Sequence, residues 1–600
     1  MSDTSYKPSA LAPSLGNLMT LTTPTGLQST ADLADRRRIV IALNVVTYIA
    51  MMWVAASVLG HGGWTLVDVI MFVCFAAGTP WTVLGFWNAI IGLWLLHFHK
   101  NPMAEVAPYA AAGDVDTPIA IKTAIFMTVR NEDPTRALQR LKTVKASVDA
   151  TGQGAQFSYF ILSDTNNADV AAIEEQAFAA WKAADPDGAR LTYRRRTDNI
   201  GYKAGNVRDF CDRWGRDYEL MLPLDADSVM SGPAIVKLVR MMQAHPKIGI
   251  LQSLVVGMPS QSAFARIFQF GMRHGMRSYT MGQSWWVGDC GPFWGHNAVV
   301  RIKPFAEQCD LPVLPGKPPL GGHVLSHDQV EATFMRRAGY EVRVLPVENG
   351  SWEENPPTML DFAQRDVRWC QGNMQYTKLL DTPGLYPMSR FQLVWAILMF
   401  MGIPAWTLMI ALLPIAAWQG QQVSDYPKGL AIFLYVLFFT MYLMPKIAGL
   451  IDAVMTKGGV ARYGGPVRFV AGASLELVFS FLQGAVSTIR TSIFMIGLLF
   501  GKSVIWGGQS RDAYGISWST AARNLWPQTL FGVIVCGLLL MIAPAVFWWS
   551  LPLTLGYLVA IPFAVVTASP ALGRWFAKIG LAGIPEDFDP PKEVTAVLRG

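Results

Sequence analysis

The chain has 600 residues, of which 52% are hydrophobic and only 15% are charged. Soluble chains carry about 25% charged residues, so this composition excludes a chain that is mostly disordered or collagen-like and disfavours a wholly soluble enzyme. The net charge of +6 is modest for this length, and we expect a lipid bilayer but no nucleic acid among the partners.

The first hundred residues contain a polar tail and two long apolar runs. Residues 1–35 are rich in Ser, Thr and Pro and predict a disordered cytoplasmic tail. Three consecutive arginines then precede Ile39–Leu59, a run that is ~31 Å long as a helix and can cross a bilayer. Trp64–Leu96 is a second apolar run. Because Lys and Arg concentrate on the cytoplasmic side, residues 36–100 predict two transmembrane helices that start and end in the cytoplasm.

Residues 101–385 have a different character, with frequent charges and apolar runs of strand length. Helical patterns such as Ala168–Ala184 separate these runs, and such alternation predicts a parallel sheet with helices on both faces. We therefore predict a multi-pass α-helical membrane protein with an inserted cytoplasmic α/β domain of Rossmann-like type. Its predicted strands are Ile121–Val129, Phe157–Leu162, Leu191–Arg196, Glu219–Leu224 and Ile248–Val256.

Long apolar segments return in residues 386–570, and residues 571–600 predict a second cytoplasmic tail. One segment, Phe469–Phe500, carries Glu476, Gln483 and Arg490 at sevenfold spacing, which places them on one stripe of a helix. The stripe fits an amphipathic helix at the membrane surface, or a polar path through the membrane. Residues 386–570 contain four spans, or six if this segment crosses twice. The other candidate segments are Phe391–Trp418, Leu430–Ile451, Leu530–Phe547 and Leu553–Val566.

Polar clusters follow the predicted strands. Ser163-Asp164 comes after the second strand, and Asp225-Ala226-Asp227 comes after the fourth. Ligands of such sheets bind outside the carboxyl ends of the strands. Two carboxylates at i and i+2 supply hard oxygen ligands for Mg²⁺ or Mn²⁺, and phosphate oxygens can complete the coordination. Taken alone, the Asp-x-Asp pattern occurs by chance in many chains and indicates a solvated turn more often than a metal site.

Six sequence blocks together resemble processive family 2 glycosyltransferases of GT-A fold, the group that contains cellulose and hyaluronan synthases. The blocks are Asn131-Glu132, Ser163-Asp164, Lys203–Asn206, Asp225–Asp227, His327-Asp328 and Arg365–Trp369. A narrower resemblance, over about residues 36–570, is to the glucans biosynthesis glucosyltransferase H family. It rests on Leu162–Asn166, Tyr193–Arg196, Asp209–Gly215, Leu224–Met230, Trp294–Asn297, Ser326–Asp328 and Arg365–Asn373.

The resemblance implies a role for individual residues. Asp328 is implied as the catalytic base and Asp227 as the ligand of Mg²⁺ or Mn²⁺. The sequence departs from the pattern at His327, where relatives often have Glu, and at Arg365, which replaces the Gln of the QxxRW motif. The implied donor-binding residues are Asp164, Lys203, Asp225 and Arg368, and the implied acceptor-binding residues are Trp369, Trp294, His296 and Asn297.

The resemblance also implies an inverting glucosyltransferase that elongates a growing β-glucan from UDP-glucose, with a β-1,2-linked backbone and coupled export. We expect it in the bacterial inner membrane, with the catalytic domain and both termini cytoplasmic and with periplasmic glucan-processing proteins as partners. The loop Ser503–Asp512 resembles in placement the gating loop of cellulose synthases. Two alternatives remain open: a cellulose- or curdlan-type synthase, and a transporter with a nucleotide-binding domain.

Overall fold

A computed structural model describes residues 27–504 and 512–599 of the chain. Most of the predicted tail 1–35 and most of the predicted gating loop Ser503–Asp512 lie outside the described residues. The described part consists of a bundle of apolar helices and an α/β domain that is inserted after the second of them.

Two long helices, α1 (Thr30–Leu59) and α2 (Leu66–Phe98), open the described part. The Ser29 hydroxyl caps α1 by accepting a hydrogen bond from the Asp32 amide, so residues 30–35 are helical and not part of a disordered tail. Two of the three arginines that follow form ion pairs with the α/β domain, Arg36 with Glu105 and Arg37 with Asp289, both at 2.6 Å. These arginines therefore attach α1 to the domain.

The α/β domain is built on one eight-stranded sheet. The strands are β1 (Thr123–Val129), β2 (Phe157–Ser163), β3 (Leu191–Arg195), β4 (Leu220–Asp225), β5 (Ser228–Met230), β6 (Ile248–Gly257), β7 (Ala298–Arg301) and β8 (Glu341–Glu353). Their order is β3-β2-β1-β4-β7-β6-β8-β5, with β7 and β5 antiparallel to their neighbours. All five predicted strands are confirmed, but β5, β7 and β8 were not predicted, and the sheet is mixed rather than parallel.

Helices cover both faces of the sheet. Consecutive residues of β1 point to opposite faces, so Ile125 packs with Leu141 in one core and Phe126 packs with Phe210 in the other. The helix α6 (Ala168–Ala184) has the predicted bounds. The helices of the domain are α3 (Pro102–Val106), α4 (Ala111–Asp114), α5 (Pro134–Asp149), α6 (Ala168–Ala184), α7 (Tyr202–Trp214), α8 (Gly232–Ala244), α9 (Ala263–Val287), α10 (Ile302–Gln308), α11 (His327–Arg337) and α12 (Met359–Gln375).

The helix α9 joins the domain to the membrane helices. A Cβ atom added at Gly92 of α2 would lie 1.7 Å from the Ser278 carbonyl oxygen of α9, so only glycine permits this approach of the two backbones. Trp286 of α9 donates a hydrogen bond of 2.9 Å to the Asn88 side chain of α2. This close packing holds the domain at a fixed position relative to α2.

The second group of apolar helices follows the domain, and the chain is a membrane protein. Within residues 27–504 and 512–599, six helices are long and apolar enough to cross a membrane. They are α1, α2 and the first four helices of this second group. The last two helices of the group form a further candidate span that bends by 60°. The group comprises α13 (Pro387–Gln421), α14 (Lys428–Met455), α15 (Pro466–Leu499), α16 (Trp518–Ile542), α17 (Pro544–Leu558) and α18 (Ala560–Thr567).

The helix α15 covers the segment Phe469–Phe500, for which we considered a double crossing. It is one continuous helix of 34 residues and contains no turn at which the chain could reverse. Glu476 packs against Gly271 of α9, and the Thr491 hydroxyl lies 3.3 Å from Asp366 of α12. Since α15 contacts the domain in its middle and near its end, these contacts fit the alternative of a helix at the membrane surface.

The C-terminal residues pack against the α/β domain. Asp587 forms an ion pair of 2.8 Å with Arg266 of α9, and Glu586 accepts a hydrogen bond of 3.0 Å from the Trp352 indole of β8. Val594 is fully buried. The predicted tail 571–600 is therefore largely helical, and it lies on the same side of the membrane as the domain. Its helices are α19 (Pro570–Ile579), α20 (Pro585–Phe588) and α21 (Lys592–Arg599).

Candidate active site

One cleft of about 630 Å³ lies where the domain meets the membrane helices. Asp225 is the last residue of β4, and Asp227 follows it in the turn to β5. Asp328 lies in the first turn of α11. These three carboxylates, although distant in the chain, line the same cleft. The other predicted site residues that line it are Lys203, Arg368, Trp369, Trp294 and His296.

The turn from β4 to β5 presents the paired carboxylates. Asp225 forms an ion pair with Lys203 of α7 and accepts a hydrogen bond of 3.3 Å from the Thr128 hydroxyl of β1. Asp227 is largely buried at the base of the cleft. Between them, the Ala226 carbonyl accepts a hydrogen bond of 2.7 Å from Arg140 of α5. The turn is thus held by contacts from three separate elements.

The two aspartates fit a divalent cation that shares its coordination with a substrate. Among the described residues, no group of three or more His, Cys, Asp or Glu side chains is placed to hold a metal ion. Mg²⁺ is commonly bound through one or two carboxylates, with phosphate oxygens and water as the remaining ligands. Carboxylates from Asp225 and Asp227 in one cleft match this donor set.

The loop before β7 brings Lys203 and Asp328 together. Gly295 has a positive φ of +78°, and a Cβ atom added there would lie 3.4 Å from the Asp328 Cβ and 3.7 Å from the Lys203 amine. Ser326, and not Asp328, is the N-cap residue of α11. The negative charge of Asp328 in the first turn is favourable with the helix dipole, and its carboxylate still faces the cleft.

His327 and Glu331 form a buried pair beside Asp328. The His327 Nδ1 lies 2.9 Å from the Glu331 carboxylate, one helical turn away. Burial by itself lowers the pKa of His327, but the Glu331 and Asp328 carboxylates outweigh burial, and the pKa of His327 is raised. The imidazole therefore keeps its proton to a higher pH than a free imidazole does. His327, together with its carboxylate partner Glu331, thus places a group that can carry a positive charge next to Asp328.

The helix α12 carries the residues of the QxxRW-like block. Arg368 is buried and lines the cleft, whereas Trp369 lines the cleft with 49% of its surface exposed. The Arg365 guanidinium lies 4.7 Å from the centre of the Trp369 ring. Arg365, which stands at the Gln position, therefore supports the tryptophan through a cation–π contact.

Asp164 lies at the same edge of the sheet but does not line the cleft. It directly follows β2, is buried, and its two carboxylate oxygens accept hydrogen bonds of 2.7 and 2.6 Å from Arg196. Arg196 also donates to the Tyr202 carbonyl at the start of α7. The structure thus separates Asp164 from the cluster of Asp225 and Asp227.

Two neighbouring residues of the predicted acceptor site differ in their placement. The His296 Nε2 lies 3.5 Å from the Glu353 carboxylate, and both side chains line the cleft. Asn297 is fully buried and donates a hydrogen bond of 2.8 Å to the Ser351 hydroxyl of β8. The expectation that Asn297 contacts the acceptor does not fit this placement, because its amide joins β7 to β8 inside the domain.

Comparison with known proteins identifies the family. The profile of the family described as "Glycosyl transferase family group 2" matches residues 220–444. A glucans biosynthesis glucosyltransferase H of Xanthomonas campestris pv. campestris is 34% identical over 93% of this chain and 88% of its own length. A protein of the same name from Ralstonia nicotianae is 34% identical over 94% of this chain and 67% of its own length. A third, from Xylella fastidiosa, is 33% identical over 94% of this chain and 90% of its own length. The chain belongs to the glucans biosynthesis glucosyltransferase H family.

Membership of this family makes the chain a membrane-bound glycosyltransferase of family 2, with an inserted domain that fits the GT-A fold. A glucosyltransferase would bind a nucleotide sugar and a glucan acceptor. Family membership gives no support to the alternative of a transporter with a nucleotide-binding domain.

Sequence reasoning missed three residues of the cleft region. Glu353 ends β8 and Glu354 follows it, and both line the cleft. Arg140 lies beneath them on α5 and pairs with Glu354 at 2.8 Å. Two consecutive acidic residues directly after Trp352 were a visible signal for the glutamates. Nothing in the local sequence distinguishes Arg140 from the other basic residues of its helix.

The cleft is bounded on one side by aromatic residues of the membrane helices. Trp81 of α2 stacks on Trp395 of α13 with ring centres 5.2 Å apart, and Phe391 stacks on Trp395 at 5.6 Å. All three line the cleft together with the carboxylates. The wall of the cleft on the side of the helix bundle therefore includes a stack of three aromatic rings.

Proposed function

We propose that this enzyme is an inverting glucosyltransferase that elongates a β-glucan from UDP-glucose, forming the β-1,2-linked backbone of osmoregulated periplasmic glucans. The observation that carries the proposal is the presence of Asp225, Asp227, Asp328, Arg368 and Trp369 in one cleft. This set supplies a metal ligand, a base, a cation for the leaving group and an aromatic surface. The relatives named glucans biosynthesis glucosyltransferase H support the glucan product.

The donor diphosphate would bind at the turn between β4 and β5. Asp227 would hold Mg²⁺ or Mn²⁺, with Asp225 next to it, and the cation would supply positive charge for the diphosphate oxygens. Lys203 and Arg368 line the same cleft and can neutralise the charge that grows on the leaving UDP. A guanidinium such as Arg368 binds phosphate with a planar fork of donors.

The uridine would bind at the edge of the sheet beside the diphosphate. Asp164 is the predicted contact, and its position after β2 places it on the same edge as Asp225, which ends β4. The ion pair with Arg196 fixes the orientation of the Asp164 carboxylate. A fixed carboxylate is suited to accept hydrogen bonds from a nucleoside.

Asp328 would act as the base. It takes the proton from the attacking hydroxyl of the glucan end, whose oxygen forms a bond to the anomeric carbon while the bond from that carbon to the diphosphate breaks. Attack on the side opposite to UDP inverts the configuration. Trp369, Trp294 and His296 line the cleft and would hold the acceptor, with the exposed Trp369 ring stacking on a sugar.

The membrane arrangement supports synthesis at the bacterial inner membrane with export of the product. We propose that the domain and both termini are cytoplasmic and that α15 lies at the membrane surface. The stacked rings of Trp81 and Trp395 would receive the growing glucan on its way towards the helix bundle. Periplasmic glucan-processing proteins would then act on the product.

The activity should depend on pH through His327. As the pH rises through the raised pKa of His327, the imidazolium loses its proton and leaves the buried Glu331 anion uncompensated beside Asp328 and the diphosphate. We therefore expect kcat/KM to fall on the alkaline side. In Glu331→Gln the pKa of His327 should drop and no Glu331 anion remains to be left uncompensated, so this alkaline decline should disappear.

The measurement is the pH profile of kcat/KM for the wild type, Glu331→Gln and a control, Glu307→Gln, whose side chain is exposed on α10. Lys203 also faces His327, and its positive charge opposes the rise in the pKa of the imidazole. Burial raises the pKa of Tyr376, which faces Asp328, well above its ordinary value. An alkaline decline that persists unchanged in Glu331→Gln would contradict the assignment.

Purified protein in proteoliposomes, supplied with UDP-glucose and Mg²⁺, tests the proposed function. We expect release of UDP, a β-1,2-linked product by linkage analysis, and product that accumulates inside the vesicles, protected from an added glucanase. A β-1,4 or β-1,3 product would favour the cellulose- or curdlan-type alternative. Absence of UDP release under all divalent cations would refute the proposal.

A further inference from the structure

Arg140 lies beneath the turn that carries the paired carboxylates. Only 3% of Arg140 is exposed. Its Nη1 donates a hydrogen bond of 2.7 Å to the carbonyl of Ala226, the residue between Asp225 and Asp227, and its Nη2 lies 2.8 Å from the Glu354 carboxylate. One side chain thus connects the turn after β4 to the end of β8, on two sides of the cleft.

Burial of a guanidinium is costly unless partners compensate its charge, so the two contacts of Arg140 explain how it is tolerated. Arg140 is not required merely to compensate the charge of Glu354. Arg136, one helical turn earlier on α5, already pairs with Glu354 at 2.8 Å and also contacts Asp512 at 2.7 Å. The feature that distinguishes Arg140 is its hydrogen bond to the Ala226 carbonyl.

The paired carboxylates need such a support. Asp225 and Asp227 carry like charges two residues apart, and their repulsion favours a turn that moves them apart. A buried donor on the intervening carbonyl fixes the peptide orientation, and with it the direction of both side chains.

We propose that Arg140 is a positioning residue for the metal–diphosphate site, because it fixes the turn in which Asp225 and Asp227 both face the cleft. This inference rests on the proposed function and deepens it. It assigns a role in cation affinity to a residue that touches neither the substrate nor the metal.

The test compares three variants of the full-length protein in detergent. Their Mn²⁺ affinity in the presence of UDP is measured from the electron paramagnetic resonance signal of free Mn²⁺. In Arg140→Gln we expect affinity to fall by roughly tenfold, the scale of lost supporting contacts in metal sites. The Mn²⁺ affinity of Arg140→Lys should be intermediate, because the lysine ammonium can still donate to the Ala226 carbonyl but loses the contact with Glu354. The matched control is Arg136→Gln, which loses a Glu354 partner but no contact to the turn, and its affinity should match the wild type.

UDP affinity in EDTA and thermal unfolding show that each variant is folded. A folded Arg140→Gln with wild-type Mn²⁺ affinity would overturn the inference, as would an equal loss in Arg136→Gln. If Arg140→Gln does not fold, the Mn²⁺ affinities of Arg140→Lys and Arg136→Lys are compared instead. Weaker Mn²⁺ binding is then expected for Arg140→Lys and not for Arg136→Lys. If Mn²⁺ does not change the affinity of the wild-type protein for UDP, the role of a metal ion in the proposed function would instead be refuted.

Discussion

Replacement of Asp328 by Asn is expected to reduce glucan synthesis by at least about 10²-fold, since a positioned general base contributes 10²–10⁴-fold. Asn has the same shape as Asp but cannot take a proton from the attacking hydroxyl. The side chain lies in the first turn of α11 and faces the cleft, where its contact with the Gln329 amide at 3.0 Å holds it in place. UDP affinity should stay within about twofold, because the substitution removes an interaction needed only in the transition state.

The experiment pairs radiolabelled glucan synthesis with UDP titration calorimetry. Asp212→Asn serves as the control, since Asp212 is an exposed carboxylate on α7 that pairs with Arg208 and does not line the cleft. Synthesis near the wild-type rate in Asp328→Asn would remove Asp328 from the mechanism. A parallel loss of UDP affinity would indicate a disturbed cleft and would assign Asp328 a role in binding.

The architecture could be predicted where the signal is local. Strands such as β1 and β6 consist mostly of apolar residues, and the long apolar helices can be predicted from length and composition alone. The short strands β5 and β7 have no such signal, because they are defined by antiparallel pairing with distant strands. The strand β8 is interrupted by Pro346 and Gly350 and pairs with β6 through shifts in register, so its pattern does not alternate regularly.

The candidate site was predictable as a set of motifs and not as a set of contacts. The structure brings Asp225, Asp227 and Asp328 to one cleft, because Asp225 ends β4, Asp227 lies in the turn that follows, and Asp328 lies in the first turn of α11. Asn297 is part of a motif block, yet its amide is used inside the domain. Arg140 shows the reverse: it belongs to no motif, and its importance arises only from the tertiary contact with Ala226.

Replacement of Asp227 by Ala is expected to weaken Mg²⁺-dependent UDP binding by at least about tenfold, since loss of a direct metal ligand should cost no less than loss of a supporting contact. Asp227 lies at the base of the cleft and offers a hard oxygen to a cation that also contacts the diphosphate. Glucan synthesis should fall further than binding, because the charge on the diphosphate grows as the bond to the sugar breaks.

UDP titration in the presence of Mg²⁺ and in the presence of EDTA distinguishes a loss of metal binding from a general disturbance of the fold. In EDTA the wild type and Asp227→Ala should bind UDP equally weakly, because neither has a cation to connect protein and diphosphate. When Mg²⁺ is present, only the wild type should bind UDP more tightly than it does in EDTA. A variant that gains as much from Mg²⁺ as the wild type would show that Asp227 is not the metal ligand. Since Asp225 is held by Lys203 and Thr128, the cation would then have to bind at that carboxylate alone, and Lys203 would have to release it.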